Sequence, residues 1–257
     1  MEFLTIQKNE NIATILLNRP PANALAQAVL DEYSEALDLL EEDDNIRAII
    51  FRGEGKFFSA GADIKEFTTL EKEEDYEKLA NKGQALFNRI ETFAKPIIAA
   101  IHGAALGGGL ELAMSCHVRL ATKNAKLGLP ELQLGIIPGF AGTQRLPRYV
   151  GSAKACEMML TSEPISGEDA LKWGLVNAAY DEEQLFEEAE KLAAKFASKS
   201  PLSVKYVIDL LNHAKNNTFD SGVEREAQLF GKVFMSEDGK EGVNAFIEKR
   251  KPNFTGR

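Results

Sequence analysis

Glu111 and Glu131 lie 20 positions apart, and each sits beside a helix-start signal. Gly107-Gly108-Gly109 precedes the first and Pro130 the second, read here as the first helical position. Two carboxyls in one cavity serve as general base and general acid when their surroundings separate their proton affinities. The stretch from Pro96 to Met114, PIIAAIHGAALGGGLELAM, reads as a strand, a glycine-lined turn and a helix. Peptide N–H groups in the first turn of such a helix lack internal partners and carry partial positive charge. They suit a phosphate, or an oxygen that becomes negative during a reaction. A third segment, Ser59-Ala60-Gly61-Ala62-Asp63-Ile64-Lys65, also follows a strand, which is where α/β proteins hold their ligands. Taken singly, each has a plainer reading. The helix dipole alone favours a first-turn glutamate by ~0.3–1 kcal/mol. The glycines suit tight helix–strand packing, and residues 59–65 suit a surface loop.

The elements that position these residues alternate. Residues 3–7 and 12–17 read as two strands, then a helix from Ala24 to about Glu42 capped by Asn23. A continuous apolar run from Ile46 to Phe51 reads as a strand buried on both faces. A helix leads from Glu71 to about Phe93, and short strands are expected at 118–121 and 175–179. Helices are expected near 151–161 and 167–173, after a glycine-rich loop from Gly135 to Gly142. From Glu182 onward only helical patterns occur, near 182–199, 202–214, 219–234 and 237–250. The expectation is an α/β core over 1–195 that carries the site, followed by an all-helical segment over 196–257.

Bulk properties exclude several classes. The 257 residues carry a net charge of −9, which disfavours a nucleic-acid surface. No apolar run approaches the ~18 residues of a membrane span, and no signal peptide is visible. Cys116 and Cys156 form no CxxC, which fits a reduced, cytoplasmic protein. With three histidines, a metal cluster is not expected. Phosphate-binding GxxxxGK[ST], dinucleotide-binding GxGxxG and hydrolase GxSxG motifs are all missing. His117, next to Ser115 and Cys116, reads as a structural residue at a strand start, since neighbours on a helix do not face one another.

In combination, FFSAGADIKEF, HGAALGGGLELAMSCHVRLA, LGLPELQLGIIPGFAGTQRLPR and the later ISGEDALKWGLV resemble the enoyl-CoA hydratase (crotonase) family. The likeness runs across about residues 3–257 and is most specific between 56 and 147. It implies a crotonase-like spiral of ββα units with C-terminal helices used in trimer packing, and a homohexamer built as a dimer of trimers. It implies an acyl-CoA substrate whose thioester carbonyl lies between the N–H groups of Ala62 and Gly108. By analogy Glu111 assists the attack of water on the β-carbon and Glu131 delivers a proton to the α-carbon. The coenzyme A arm would follow Ala60, Gly61, Asp63, Ile64 and Lys65, with Phe246 and Lys249 supplied by a neighbouring subunit. Pro138 and Gly139 would line the acyl pocket, where Phe140 is a bulky neighbour. No metal or other cofactor is implied. The resemblance leaves one close rival, a Δ3-Δ2 enoyl-CoA isomerase, for which one carboxylate suffices. RNA-binding members and self-compartmentalised peptidases of related fold are disfavoured by the charge and by the lack of a serine–histidine–acid set.

Overall fold

A computed structural model describes residues 1–68 and 70–257. The chain runs β1 (Leu4–Asn9), β2 (Ile12–Leu17), α1 (Gln27–Glu42), β3 (Ala48–Gly53), α2 (Ile64–Phe67), α3 (Glu73–Glu91) and β4 (Ile97–Ile101). It continues through β5 (Ala104–Leu106), α4 (Gly108–Ser115), β6 (Val118–Thr122), β7 (Lys126–Gly128) and a 3-10 turn (Glu131–Leu134). Then come α5 (Gly142–Thr161), β8 (Ile165–Ser166), α6 (Gly167–Lys172), β9 (Ala178–Tyr180) and α7 (Leu185–Ala197). Helices α8 (Pro201–Asn216), α9 (Phe219–Met235) and α10 (Glu237–Ile247) follow.

The main sheet has the order β1-β2-β3-β4-β6-β9, antiparallel only between β1 and β2. Its middle strands explain the continuous apolar runs. Ile49, Phe51, Ile97, Ala99 and Ile101 face one core shared with α1, α3 and α4. Ala48, Ile50, Ile98, Ala100 and Leu120 face a second core closed by Leu185, Ala189, Ala193 and Ala197 of α7. Side chains alternate across a strand, so a strand covered on both faces is apolar at every position. This is the α/β architecture expected from the sequence.

Several local expectations are corrected. Asn23 does not cap α1, whose N-cap is Ala26. Asn23 instead adopts a left-handed backbone (φ 53°) and ties the Arg19 N–H to the carbonyls of Glu54 and Phe57. Pro130 is the residue before its helical turn rather than the first within it, and that turn is 3-10. The helix expected at 151–161 begins at Gly142, with a break at Gly151 (φ 78°, ψ 158°). A second sheet, β5-β7-β8, is not expected from the sequence, where the stretch holding β5 reads as a turn. Its strands have two or three residues, too few to show a hydrophobic period. This small sheet aligns the site. Ser59 N–H donates to the Ala104 carbonyl, Leu106 N–H to the Ser59 carbonyl and Gly107 N–H to the Gly128 carbonyl. The three ligand-loop candidates are thereby stitched side by side.

Candidate active site

The loops converge on a cavity of about 960 Å³ lined by Ala60, Gly61, Ala62, Gly108, Glu111 and Glu131, among others. Gly107 caps α4 with φ 50° and ψ −128°, a conformation that favours glycine. A side chain there would also crowd the site, since a Cβ would stand 3.0 Å from Glu131 Oε1. A Cβ on Gly108 would meet the Ala62 nitrogen at 3.3 Å, and one on Gly61 would meet the Gly108 nitrogen at 3.5 Å. The Ala62 and Gly108 amides are therefore neighbours on the cavity wall. Ala62 pairs with Leu25 through Leu25 N–H to the Gly61 carbonyl and Asp63 N–H to the Leu25 carbonyl, which turns the Ala62 N–H away from that strand bridge. Gly108 N–H, first in its helix, has no intrahelical acceptor.

The two carboxyls are held differently. Glu111 is 1% exposed, and all eight residues of α4 are buried. Its Oε1 accepts the N–H groups of Phe140 (2.8 Å) and Gly142 (2.6 Å). Burial pushes its carboxyl up to about 7, with a further upward push from the charge of Glu131. The two amides and Arg145 oppose that rise. Burial also raises Glu131, whose Oε2 is buried without a hydrogen-bond partner among the described residues. Two neighbouring carboxyls raised in this way titrate as a pair and can hold one proton between them near neutral pH.

The cavity is also lined by Ile64 and Gly139. Asp63 is not on its wall. Its side chain is bound to Arg19 (2.6 Å), whose guanidinium outweighs burial and holds the carboxyl below its ordinary range, and it caps α2 through Lys65 N–H. Lys65 is exposed on α2, and Pro138 is buried beside the cavity rather than lining it. Phe246 and Lys249 lie at the far end of α10, outside the cavity of their own chain. Phe140 lines the cavity but is 5% exposed. Its ring packs edge-on to Phe87, 5.3 Å between centroids, over Gly83, where a Cβ would come within 2.3 Å of it. His117 is structural as read, its Nδ1 accepting the Ile97 N–H at the start of β4.

The sequence reading missed the opposite wall, formed by Phe67, Thr68, Tyr76, Leu79, Ala80 and Ile137. One signal was available: Tyr76, Leu79 and Ala80 are spaced i, i+3, i+4, one face of a helix within an acidic, lysine-rich stretch. Among the described residues, no group of three or more histidine, cysteine or acidic side chains could hold a metal ion, and no helix is long and apolar enough to cross a membrane.

Comparison with known proteins gives this arrangement its family. A model of the enoyl-CoA hydratase/isomerase family matches residues 7–257. The chain is 57% identical over 257 residues to a probable enoyl-CoA hydratase of Bacillus subtilis, covering all of both chains. It is 41% identical over 251 residues to the short-chain-enoyl-CoA hydratase of Clostridium acetobutylicum, covering 96% of this chain and 95% of the other. A crystal structure of enoyl-CoA hydratase from Bacillus anthracis superposes with a TM-score of 0.94 at 36% identity, covering 99% of this chain and 100% of that one. From the first strand to the last helix, this chain is an enzyme of the enoyl-CoA hydratase/isomerase family.

Proposed function

We propose that the protein adds water reversibly to the double bond of a trans-2-enoyl-CoA, giving a 3-hydroxyacyl-CoA. The observation that carries this reading is the meeting of two carboxyls of raised proton affinity with two adjacent backbone amides on the wall of one apolar cavity. The thioester carbonyl accepts the N–H groups of Ala62 and Gly108, which draw electron density from the conjugated double bond. Water, held between the glutamates, attacks the β-carbon as its proton passes to Glu111. The resulting enolate oxygen is held by the same two amides, donors of a kind that contribute ~3–4 kcal/mol each in other enzymes. Glu131 then protonates the α-carbon. The hydrogen bonds support these roles: two amides favour the ionised form of Glu111, whereas the partnerless Oε2 of Glu131 favours a proton. Polarisation by backbone amides needs no metal or redox cofactor, and coenzyme A enters as part of the substrate.

Hydration fits better than Δ3-Δ2 isomerisation because the second carboxyl has a task in it. The coenzyme A arm runs past Ala60 to Lys65. The apolar side chains left exposed on α9 and α10, including Phe219 (83%), Phe230 (67%) and Phe246 (85%), suit packing between subunits, with trimers pairing into a hexamer. In that assembly Phe246 and Lys249 of one subunit reach the coenzyme A of another. The reading extends to a cytoplasmic role in short-chain fatty-acid β-oxidation, while amino-acid or butyrate metabolism would use the same site.

The test is to mix the purified protein with crotonyl-CoA and follow the ultraviolet absorbance of the conjugated thioester. Rapid loss supports hydration. No loss, together with conversion of a 3-enoyl-CoA into a conjugated product, would replace hydratase with isomerase.

A further inference from the structure

Arg145 does not line the cavity, yet it is 3% exposed and all three of its nitrogens are engaged. Nη1 donates to the Phe140 carbonyl (2.9 Å), Nη2 to Asn88 Oδ1 (2.6 Å) and Nε to Glu91 Oε2 (3.0 Å). The other oxygen of Glu91 is paired with Lys215 of α8, and Asn212 of the same helix donates to the Glu91 carbonyl (2.7 Å). Burial alone would raise the Glu91 carboxyl, but Lys215 and Arg145 outweigh it and hold it below its ordinary range. A continuous line of charge-assisted bonds thus runs from α8 through Lys215, Glu91 and Arg145 to the backbone of residue 140.

That backbone is gripped from both ends. The Phe140 carbonyl accepts from Arg145 while the Phe140 N–H donates to Glu111 Oε1. Two residues on, the Gly142 N–H donates to the same oxygen. Ala141, between them, has φ 71°, a left-handed conformation that a residue with a Cβ keeps only where its surroundings impose it.

We propose that Arg145 is a positioning residue: it clamps residues 140–142 so that both amides close on one oxygen of Glu111, and the Lys215–Glu91 pair ties that clamp to α8. The inference rests on the reading of Glu111 as the group that takes the proton from water. The charged groups facing Glu111 are Glu131 from the 3-10 turn and Arg145 from α5, with the Phe140 and Gly142 amides from the intervening loop. Loss of Arg145 removes a facing cation and loosens both amides. Both changes raise the proton affinity of Glu111, so the acid limb of the pH–rate profile moves to higher pH.

The experiment measures crotonyl-CoA hydration by the full chain across about pH 5–9, with thermal unfolding alongside. Arg145→Gln is expected to lower kcat by about 10²-fold, leave KM within about threefold and move the acid limb up by about half a pH unit or more. Arg145→Lys, which keeps a cation, recovers part of both effects. Lys215→Met, at the far end of the line, moves the limb the same way by less and lowers kcat by about threefold. A folded Arg145→Gln protein with the wild-type pH profile overturns the proposal. Should Arg145→Gln not fold, Lys215→Met and Asn88→Ala leave Arg145 in place, and an unmoved limb in both overturns it equally. If the native protein isomerises instead of hydrating, the hydratase reading falls, but the same shift of the acid limb read from isomerisation still supports the clamp.

Discussion

The two segments that bring a carboxyl to the cavity are built on opposite plans. Helix α4 is buried along its whole length, and Glu111 on it is fixed by two amides. The 3-10 turn has no buried residue, ends in an open loop at Gly135, and leaves one oxygen of Glu131 without a partner. A deep carboxyl with one oxygen held by two amides keeps its geometry, whereas a shallower one with a partnerless oxygen is freer to change its proton. The contrast fits the division of tasks in the proposed mechanism, where Glu111 takes the proton from water and Glu131 carries the proton that ends on carbon.

The sharpest way to break this division is to neutralise each side. Glu111→Gln and Glu131→Gln are each expected to lower kcat for crotonyl-CoA hydration by about 10³–10⁴-fold, and the double variant by little more than either alone. A Glu131→Gln enzyme with near-native kcat would reduce the turn to scaffolding. A smaller effect comes from crowding each segment with one methyl. In Gly142→Ala the new Cβ would stand 2.9 Å from Glu111 Oε1, so kcat should fall by about 10–10²-fold. Gly135→Ala meets no atom within 4 Å and has only its left-handed backbone (φ 70°) to pay, about 1 kcal/mol of stability with kcat nearly unchanged. Equal losses of kcat in the two variants would erase the distinction.

The pH profile separates the segments in a second way. With Glu111 raised to about 7, kcat/KM should decline as pH falls through that region, because the base becomes protonated. In Glu131→Gln the acid limb of the residual activity should move down, because the negative charge of Glu131, which helps to raise Glu111, is gone.

The smallest effect is on stability. A carboxyl whose folded proton affinity exceeds its unfolded one contributes stability at low pH that is lost as pH rises through the folded value. Glu111→Gln, whose amide oxygen still accepts both N–H groups, should therefore melt a few degrees higher than the native protein at pH 8. The difference should shrink toward pH 4–5. Glu131→Gln, which is less buried, should gain less. Differential scanning calorimetry at the two pH values decides it.

Much of this was legible in the sequence, for physical reasons that also mark the limit. The strands of the main sheet announced themselves because burial on two faces demands unbroken apolar runs, as in Ile97–Ile101. Glu111 and Gly108 stood out at a helix start, although each has a plainer reading when taken singly, and Ala62 was legible only through the family resemblance. The 3-10 turn was read as a helix because Pro130-Glu131 carries the same start signals in both. The small sheet stayed hidden because strands as short as β8 have no period. The wall formed by Tyr76 and Leu79 was hidden because those residues come from a helix whose other side is charged. Asn23 misled for a simpler reason: a side chain fit to cap a helix is equally fit to hold a turn.

The glycine-lined wall has a consequence for how such a protein can change over generations. A Cβ at position 61 would strike the Leu106 carbonyl at 2.8 Å, and at 107 and 108 it would crowd Glu131, the Ala62 nitrogen and the Phe140 ring at 3.0–3.3 Å. Substitution there disturbs the part of the wall that holds the two amides and the carboxyl of Glu131. The facing wall is made of ordinary side chains, such as Tyr76, Leu79 and Ile137, several of them reaching the surface. Substitutions there alter the shape offered to the acyl chain while leaving the reacting atoms where they were. One half of the pocket is conservative and the other evolvable, which lets a single scaffold meet new substrates without relearning its reaction.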